Sequence, residues 1–496
     1  MILLKDCFAV AMQAVGGRGP DALDRVASAA VATNAASSAA KGADVASTSV
    51  AIRHHRSLTT ARGVDILIEG NRIAKIGTNL SYPEGTSVID ASRHVVIPGL
   101  VNTHHHFYQT LTRNLPAVQD AKLFDWLVYL YEIWKYLDPE AVYWSSMLAM
   151  AELAKTGCTL TTDHHYLYPA GFSGDIPSLQ FRAAADIGLR FAPTRGSMSR
   201  SKKDGGLPPD TTVQDEETIL IHSEETLRHF HDPTPDAMRK VALAPCSPFS
   251  VSEELMRKSA TLARRYGARL HTHLAETSDE DAYCVEVYGR RPLQVMRDCD
   301  FVGSDVWYAH GIFFNDEELD FLAQSGTGVA HCPSSNMRLG SGVCRVREIL
   351  DRGVLVGLGV DGSASNDTSD MLGEARQALL LQRIKYGASG LSAAEAMDIA
   401  TRGGAQILGF HEAGEIAEGR LADLALFDIM KLEYAGALSD PLAALIFSGY
   451  DHGVDYLIVN GKQVVRHGLL VGADEEMIRR NALSACERMY KRAGIL

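Results

Sequence analysis

Apolar residues in this chain come in short runs that end on small or polar residues, and their spacing separates two regions. Near the start, VDILIEGNRIAKIG (64–77) alternates apolar positions on both sides of Gly70-Asn71, the grammar of a hairpin. Near the end, ADLALFDI (422–429) and VDYLIVNGKQVVRHGLLV (454–471) repeat that grammar, with Asn460-Gly461 as the turn. The opening MILLKDCFAVAM carries Lys5 and Asp6 inside its apolar stretch, which predicts a strand rather than a signal peptide. Strand-and-turn segments at both ends predict one small β-sandwich domain assembled from residues 1–97 and 411–472, with a C-terminal helix over 473–496. Residues 27–51 are Ala/Ser-rich without an apolar period. They read as a surface insertion, or as a helix given alanine's preference.

The middle, residues 98–410, has another rhythm. VVIPGLVNTHHH, CTLTTDHH, LRFAPTRG, KVALAPCS, ARLHTHLAE, VWYAHG, TGVAHCP and VLVGLGVDG are short apolar runs, each followed by a helical pattern. Strand–helix repetition of this length predicts an α/β fold, a (β/α)8 TIM-type barrel. A doubly wound sheet is the second choice, but the Gly-rich phosphate loop it would need after an early strand is missing.

Composition narrows the function. A formal net charge of −13 argues against a nucleic-acid partner, and no apolar run is long enough to span a bilayer, which argues against a membrane one. The eight cysteines are scattered without a CxxC, the usage of free thiols in a reducing cytoplasm.

Polar residues gather where the barrel runs end: His104 and His106 on the first, His271, His273 and Glu276 on the fifth, His310 on the sixth, Asp361 on the eighth. C-terminal strand ends of a barrel converge on one face. Residues two apart on a strand share a side, so His104 and His106 point together and His105 away. Each residue taken singly has a plain reading. His310 could be a hydrogen-bonded core residue, Asp361 a turn residue before Gly362, and His271 a partner of nearby backbone. Together, imidazoles and a carboxylate at converging ends suit Zn²⁺, or Fe²⁺, with room for water.

The motifs PGLVNTHHH, HTHLAE, AHG and VGLGVDG, in this order, resemble the amidohydrolase superfamily, and more narrowly its cytosine/guanine deaminase and chlorohydrolase branch. GEIAEGRLADLALFD and VNGKQVV are similar to the small β domain of that branch. The resemblance implies that His104, His106, His273 and Asp361 bind one divalent metal, Zn²⁺ before Fe²⁺. It implies that Glu276 shuttles protons and that His310 orients the attacking hydroxide. His271 departs from the ligand pattern. Members with two metals carry a bridging lysine at the end of the fourth strand, where this sequence reads ALAPCSPF; Lys240 stands at the opposite end, so one metal is expected. The implied activity is hydrolytic deamination of a small heterocycle by a homo-oligomer. The intact ligand set argues against a non-catalytic scaffold.

The stretches NTHHHFYQTLTR, KLFDWLVYLYEIW, TTDHHYLYP and AHCPSSNMRLGSG are more particular, and look most like 8-oxoguanine deaminases. Guanine deaminases typically end the fourth strand in Pro-Arg-Phe; here the place reads Pro245-Cys246-Ser247-Pro248-Phe249. Hydroxytriazines losing an alkylamine, and guanine, are the alternative substrates. Gln109, Trp126, Tyr166, Arg195 and Cys246 are the candidate substrate contacts. Trp126 also reads as a buried helix face, Arg195 as one side of an ion pair, and DHH (163–165) as support for the metal ligands.

Overall fold

The computed structural model describes residues 1–13 and 58–496; the Ala/Ser-rich stretch 27–51 lies outside them. All eight apolar runs of the middle region become parallel strands. Leu100–Asn102, Ala242–Pro245, Arg269–Leu274, Val306–His310, Gly328–His331 and Val356–Leu358 are the first and the fourth to eighth. The second and third are each broken in two, Cys158–Thr161 with His164–His165 and Arg190–Phe191 with Thr194–Ser197. Their halves pair in one unbroken register: Arg190 opposite Leu160 and Phe191 opposite Thr161, then His164 opposite Thr194 and His165 opposite Arg195. The sheet therefore closes on itself as a TIM-type barrel, which leaves no edge strand exposed.

The chain ends build the second unit. One sheet runs in the order Arg72–Gly77, Val64–Glu69, Ile2–Cys7, Ser87–Asp90. The other carries Leu424–Asp428 antiparallel to His94–Pro98, with Tyr456–Val459 and Lys462–Arg466 beyond. Leu4, Val10, Ile66, Ile68, Val96, Leu424, Leu426 and Ile458 are buried between them, the inner faces of a β-sandwich. Asn460 and Gly461 have φ of 51° and 74°, the pair of left-handed residues a type I′ hairpin needs.

Inside the barrel the two ends differ. Val101, Leu160, Ala242, Trp307, Ala330 and Phe410 plug the end where the strands begin. The end where they finish is roofed by helix Leu123–Trp134, whose Trp126, Leu127, Leu130, Tyr131 and Trp134 are buried. The C-terminal helix Glu475–Ala493 lies against this roof through Ala482, Ala485 and Met489. Among the described residues no helix is long and apolar enough to cross a membrane.

Candidate active site

Strand alternation delivers His104, His106, His271 and His273 to the barrel interior and sends His105 outward, where its Nε2 meets Ser369 Oγ at 3.1 Å. Two further residues arrive by bends rather than alternation. Ala275 (φ 55°) turns the chain so that Glu276 enters the mouth, and His310 itself has a φ of 74°. Asp361 ends the eighth strand region with a φ of 63°. Non-glycine residues in this region are uncommon, and they concentrate at functional sites.

Four atoms converge at the mouth. Asp361 Oδ1 lies 3.3 Å from His104 Nε2 and 3.3 Å from His106 Nε2. His106 Nε2 lies 3.2 Å from His273 Nε2. Ligand atoms sharing one ion at bonds of about 2.0–2.1 Å lie no more than about 4.2 Å apart, so these three separations are compatible with a shared ion, and His104, His106 and Asp361 are close enough together to hold one. The other ring nitrogens fix the tautomers. His106 Nδ1 donates to the His164 carbonyl and His273 Nδ1 to the Cys246 carbonyl, each at 2.7 Å. His104 Nδ1 donates to His271 Nε2 at 2.8 Å, and His271 Nδ1 in turn donates to the Trp307 carbonyl at 2.9 Å. Each candidate ligand thus turns an Nε2 lone pair toward the shared point, and His104 Nε2 is buried with no hydrogen-bond partner. Burial pushes the imidazolium pKa of all three rings down, which keeps them neutral. Burial alone would raise the Asp361 carboxyl; the adjoining His104, His310 and His106 overcome it and hold the pKa well below the usual carboxylate range. Three neutral imidazoles and one carboxylate are a donor set that suits a borderline divalent ion.

Glu276 and His310 stand beside this group, with His310 Nε2 3.5 Å from Glu276 Oε2 and 3.9 Å from Asp361 Oδ2. Burial raises the Glu276 pKa to about 7, with His310 opposing and Asp361 adding to the rise. That is the range in which a carboxyl can both give and take a proton. The Glu276 N–H donates to Glu280 Oε2 at 2.9 Å, which pins the bend. His310 Nδ1 donates to Asn336 Oδ1 at 2.9 Å.

A small cavity opens onto these residues, walled by Leu123, Trp126, Leu127, Tyr131 and Phe249. Of the five candidate substrate contacts, Gln109, Trp126, Tyr166 and Cys246 line it. The Gln109 Oε1 is buried without a hydrogen-bond donor. Gln109 can lie there because residue 362 is glycine, where a Cβ would sit 1.8 Å from that oxygen. Burial pushes the Cys246 thiol up to about 12, so it meets a ligand as a neutral group.

Arg195 is the exception. The third strand turns Gly196 inward and Arg195 into the layer between barrel and outer helices. There it donates to His222 Nδ1, to the Gly196 carbonyl and to Gln214 Oε1, and stacks on Tyr168 with its guanidinium carbon 4.0 Å from the ring centroid. It is 1% exposed and does not reach the cavity.

Sequence reasoning missed Asn336, Glu280 and the bond from His104 to His271, whereas the reading of His271 as a partner of nearby backbone matches its bond to the Trp307 carbonyl. Asn336 lies within AHCPSSNMR, three residues past the helix-initiating Pro333, but nothing local marks it as a partner of His310. His164, part of the DHH noted above, stacks on His273 with ring centroids 4.7 Å apart.

Comparison with known proteins places the chain in a family. The amidohydrolase family model matches residues 95–464. The chain is 48% identical over 430 residues to 8-oxoguanine deaminase of Pseudomonas aeruginosa, covering 85% of this chain and 95% of that protein. It is 38% identical over 430 residues to an isoxanthopterin deaminase from an unknown prokaryote, covering 83% and 89%. To hydroxydechloroatrazine ethylaminohydrolase of a Pseudomonas species it is 37% identical over 438 residues, covering 86% and 91%. Among solved structures, atrazine chlorohydrolase from Arthrobacter aurescens complexed with zinc superposes with a TM-score of 0.85 at 28% identity, covering 98% of this chain and all of that one. With barrel, sandwich and converging strand ends in place and relatives matched along most of both chains, the chain belongs to the amidohydrolase family.

Proposed function

We propose that this protein is a metal-dependent aminohydrolase that converts 8-oxoguanine to urate and ammonia. The observation that carries the reading is the juxtaposition, in one cavity, of a hydrolytic group (Glu276, His310, Asp361) with the unpartnered amide oxygen of Gln109 and the neutral thiol of Cys246. The 48% identity to an 8-oxoguanine deaminase supports the substrate.

His104, His106, His273 and Asp361 would hold one divalent ion, Zn²⁺ or Fe²⁺. When bound, such an ion supplies Lewis acidity that brings the pKa of water to about 7. The remaining work falls to side chains. Asp361 Oδ2, turned toward His310, accepts a proton from the attacking water. Glu276 delivers a proton to the ring nitrogen beside the amine-bearing carbon, regains one from the hydroxyl now on that carbon and gives it to the departing amine; the proton held by Asp361 returns to Glu276 before the next turnover. The balance closes: the water oxygen stays on carbon, one of its protons ends on the ring nitrogen and the other leaves in ammonia. His310 Nε2 faces both carboxylates and orients the incoming oxygen. Gln109 reads the lactam edge, accepting the ring N–H at Oε1. Trp126 and Tyr166 flank the base.

The test is ammonia release from 8-oxoguanine, guanine, isoguanine, isoxanthopterin, cytosine and N-alkylated hydroxytriazines. The proposal expects kcat/KM for 8-oxoguanine to exceed that for guanine by at least about a hundredfold. 8-Oxoguanine presents an N7–H donor and a C8 oxygen where guanine has only an N7 acceptor, and a mismatched buried partner costs several kcal/mol. Comparable rates on the two purines would overturn the substrate assignment, and a faster hydroxytriazine would transfer it.

A further inference from the structure

The opposite end of the barrel holds a second pocket that the proposed reaction does not use. Its volume is ≈ 240 Å³, and it opens where the fourth and fifth strands begin. Four basic side chains line it: His231, Lys240, Arg269 and His411. No aspartate or glutamate lines it among the described residues. In a chain with a formal net charge of −13, this is an unusual local balance.

These cations are poorly compensated. Lys240 Nζ donates only to the Gly409 carbonyl, at 2.8 Å, and lies over the Phe410 ring at 4.6 Å from its centroid. Arg269 Nη1 donates to the Ser304 carbonyl at 2.8 Å; neither residue pairs with a carboxylate. Of the nearest acids, Asp232 accepts from Thr234 and acts on Lys240 only from a distance, and Asp305 pairs with Arg264 at 2.9 Å. His231 Nδ1 accepts the Val241 N–H at 3.0 Å, so the proton of the neutral ring sits on Nε2. That atom is buried and has no partner. Gly409, at φ 77°, lets Arg269 lie across the backbone, because a Cβ there would come within 2.4 Å of Arg269 Nε. Half-buried cations gathered with no carboxylate in direct contact among the described residues, beside an orphaned N–H donor, are stabilised by an anion that completes them.

We propose that this pocket is a binding site for a phosphate-type dianion, with Lys240 and Arg269 supplying charge and His231 Nε2 a directed hydrogen bond. The ligand is inorganic phosphate or the phosphate group of a monoester. The site is at the strand-start face, opposite the catalytic mouth, and rests on neither the metal nor the substrate assignment. Trp307 lines the pocket and stacks on His271 with ring centroids 4.4 Å apart, so its indole can report occupancy.

The experiment is calorimetric titration of the full-length, metal-loaded protein with inorganic phosphate at constant ionic strength in chloride, followed in parallel by tryptophan fluorescence. A 5′-mononucleotide titrated separately distinguishes a monoester from the free anion by which binds more tightly. Wild-type protein should bind one anion per chain. Lys240→Met and His231→Gln, each of which keeps the bulk of its side chain, should weaken binding by about tenfold or more, the scale of a lost charge-assisted hydrogen bond. Deaminase kcat should stay unchanged in both. Absence of binding up to about 10 mM, an affinity weaker than roughly 3 kcal/mol, would overturn the proposal. So would undiminished binding in both variants, which would put the anion elsewhere, for instance at the metal centre.

Discussion

Replacing His271 with phenylalanine isolates one link in the site. His271 binds no ligand in the arrangement proposed; its Nε2 accepts the proton that His104 carries on Nδ1, at 2.8 Å, in a fully buried setting. Phenylalanine preserves the stacking on Trp307 but removes the acceptor. A buried donor left without a partner costs about 1–3 kcal/mol. His104 can avoid that cost only by moving its proton to Nε2, the atom that must stay bare to bind metal. Either way the penalty falls on the metal-bound state, so affinity should drop roughly 5- to 150-fold, in line with other losses of partners behind metal-bound histidines. Competition with a chromophoric chelator measures this directly. Activity at saturating metal should recover most of its wild-type value, because His271 does not line the cavity. Unchanged metal affinity would refute the relay, and a loss of kcat that excess metal cannot restore would mean that His271 acts on the chemistry itself.

Glu276→Gln should retain metal and fold while losing about two or more orders of magnitude in kcat, the usual scale for a proton-transferring group; loss of metal instead would misassign it. Metal analysis of purified protein should give one Zn²⁺ or Fe²⁺ per chain, with Asp361→Ala losing metal and activity together; two tightly held ions would contradict the single-site reading. Arg195→Met should leave KM within a few-fold of wild type yet lower the unfolding midpoint, because the guanidinium makes three hydrogen bonds in the outer layer and does not line the cavity. Buried Glu374, whose pKa burial raises to about 8, is protonated in the fold over a range where the unfolded chain, near 4.5, has lost the proton. Its contribution to stability is therefore complete below pH 4.5 and lost as pH rises toward 8, so the midpoint of Glu374→Gln relative to wild type should climb over that interval in thermal scans.

Much of the fold is legible because the apolar runs are short and end in chemistry. HTHLAE and VWYAHG mark strand and site with the same residues, and Asn460-Gly461 marks its hairpin because few other pairs accept two positive φ values. What could not be read depends on register. Arg195 follows an apolar run as plausibly as His104 does. Only the pairing of Thr194–Ser197 with Ala242–Pro245 decides that Gly196, not Arg195, faces inward. Asn336 is a local blank because its partner, His310, is 26 residues away and meets it only across two strand ends.

Register also explains why the bends matter. On the fifth strand, His271 and His273 face inward while Leu270 and Leu274 pack outward. Continued alternation would send Glu276 outward with Leu274. On the sixth, Trp307 faces in and Tyr308 out, so His310 would follow Tyr308. Both proposed proton-handling residues have the wrong parity for the mouth. The left-handed turns at Ala275 and at His310-Gly311 reverse it, at about 1–3 kcal/mol for each strained non-glycine residue. The two bends hold each other in place: Ile312 and Phe313 donate their N–H groups to the Ala275 carbonyl at 2.8 and 3.0 Å, and Gly311 donates to that of Leu274 at 3.1 Å. Glu276 and His310 are thereby positioned by one shared backbone lattice. Regular strands could present the four converging ligand atoms, but bringing a carboxyl and an imidazole against them from adjacent strands required breaking the alternation on both at the same level.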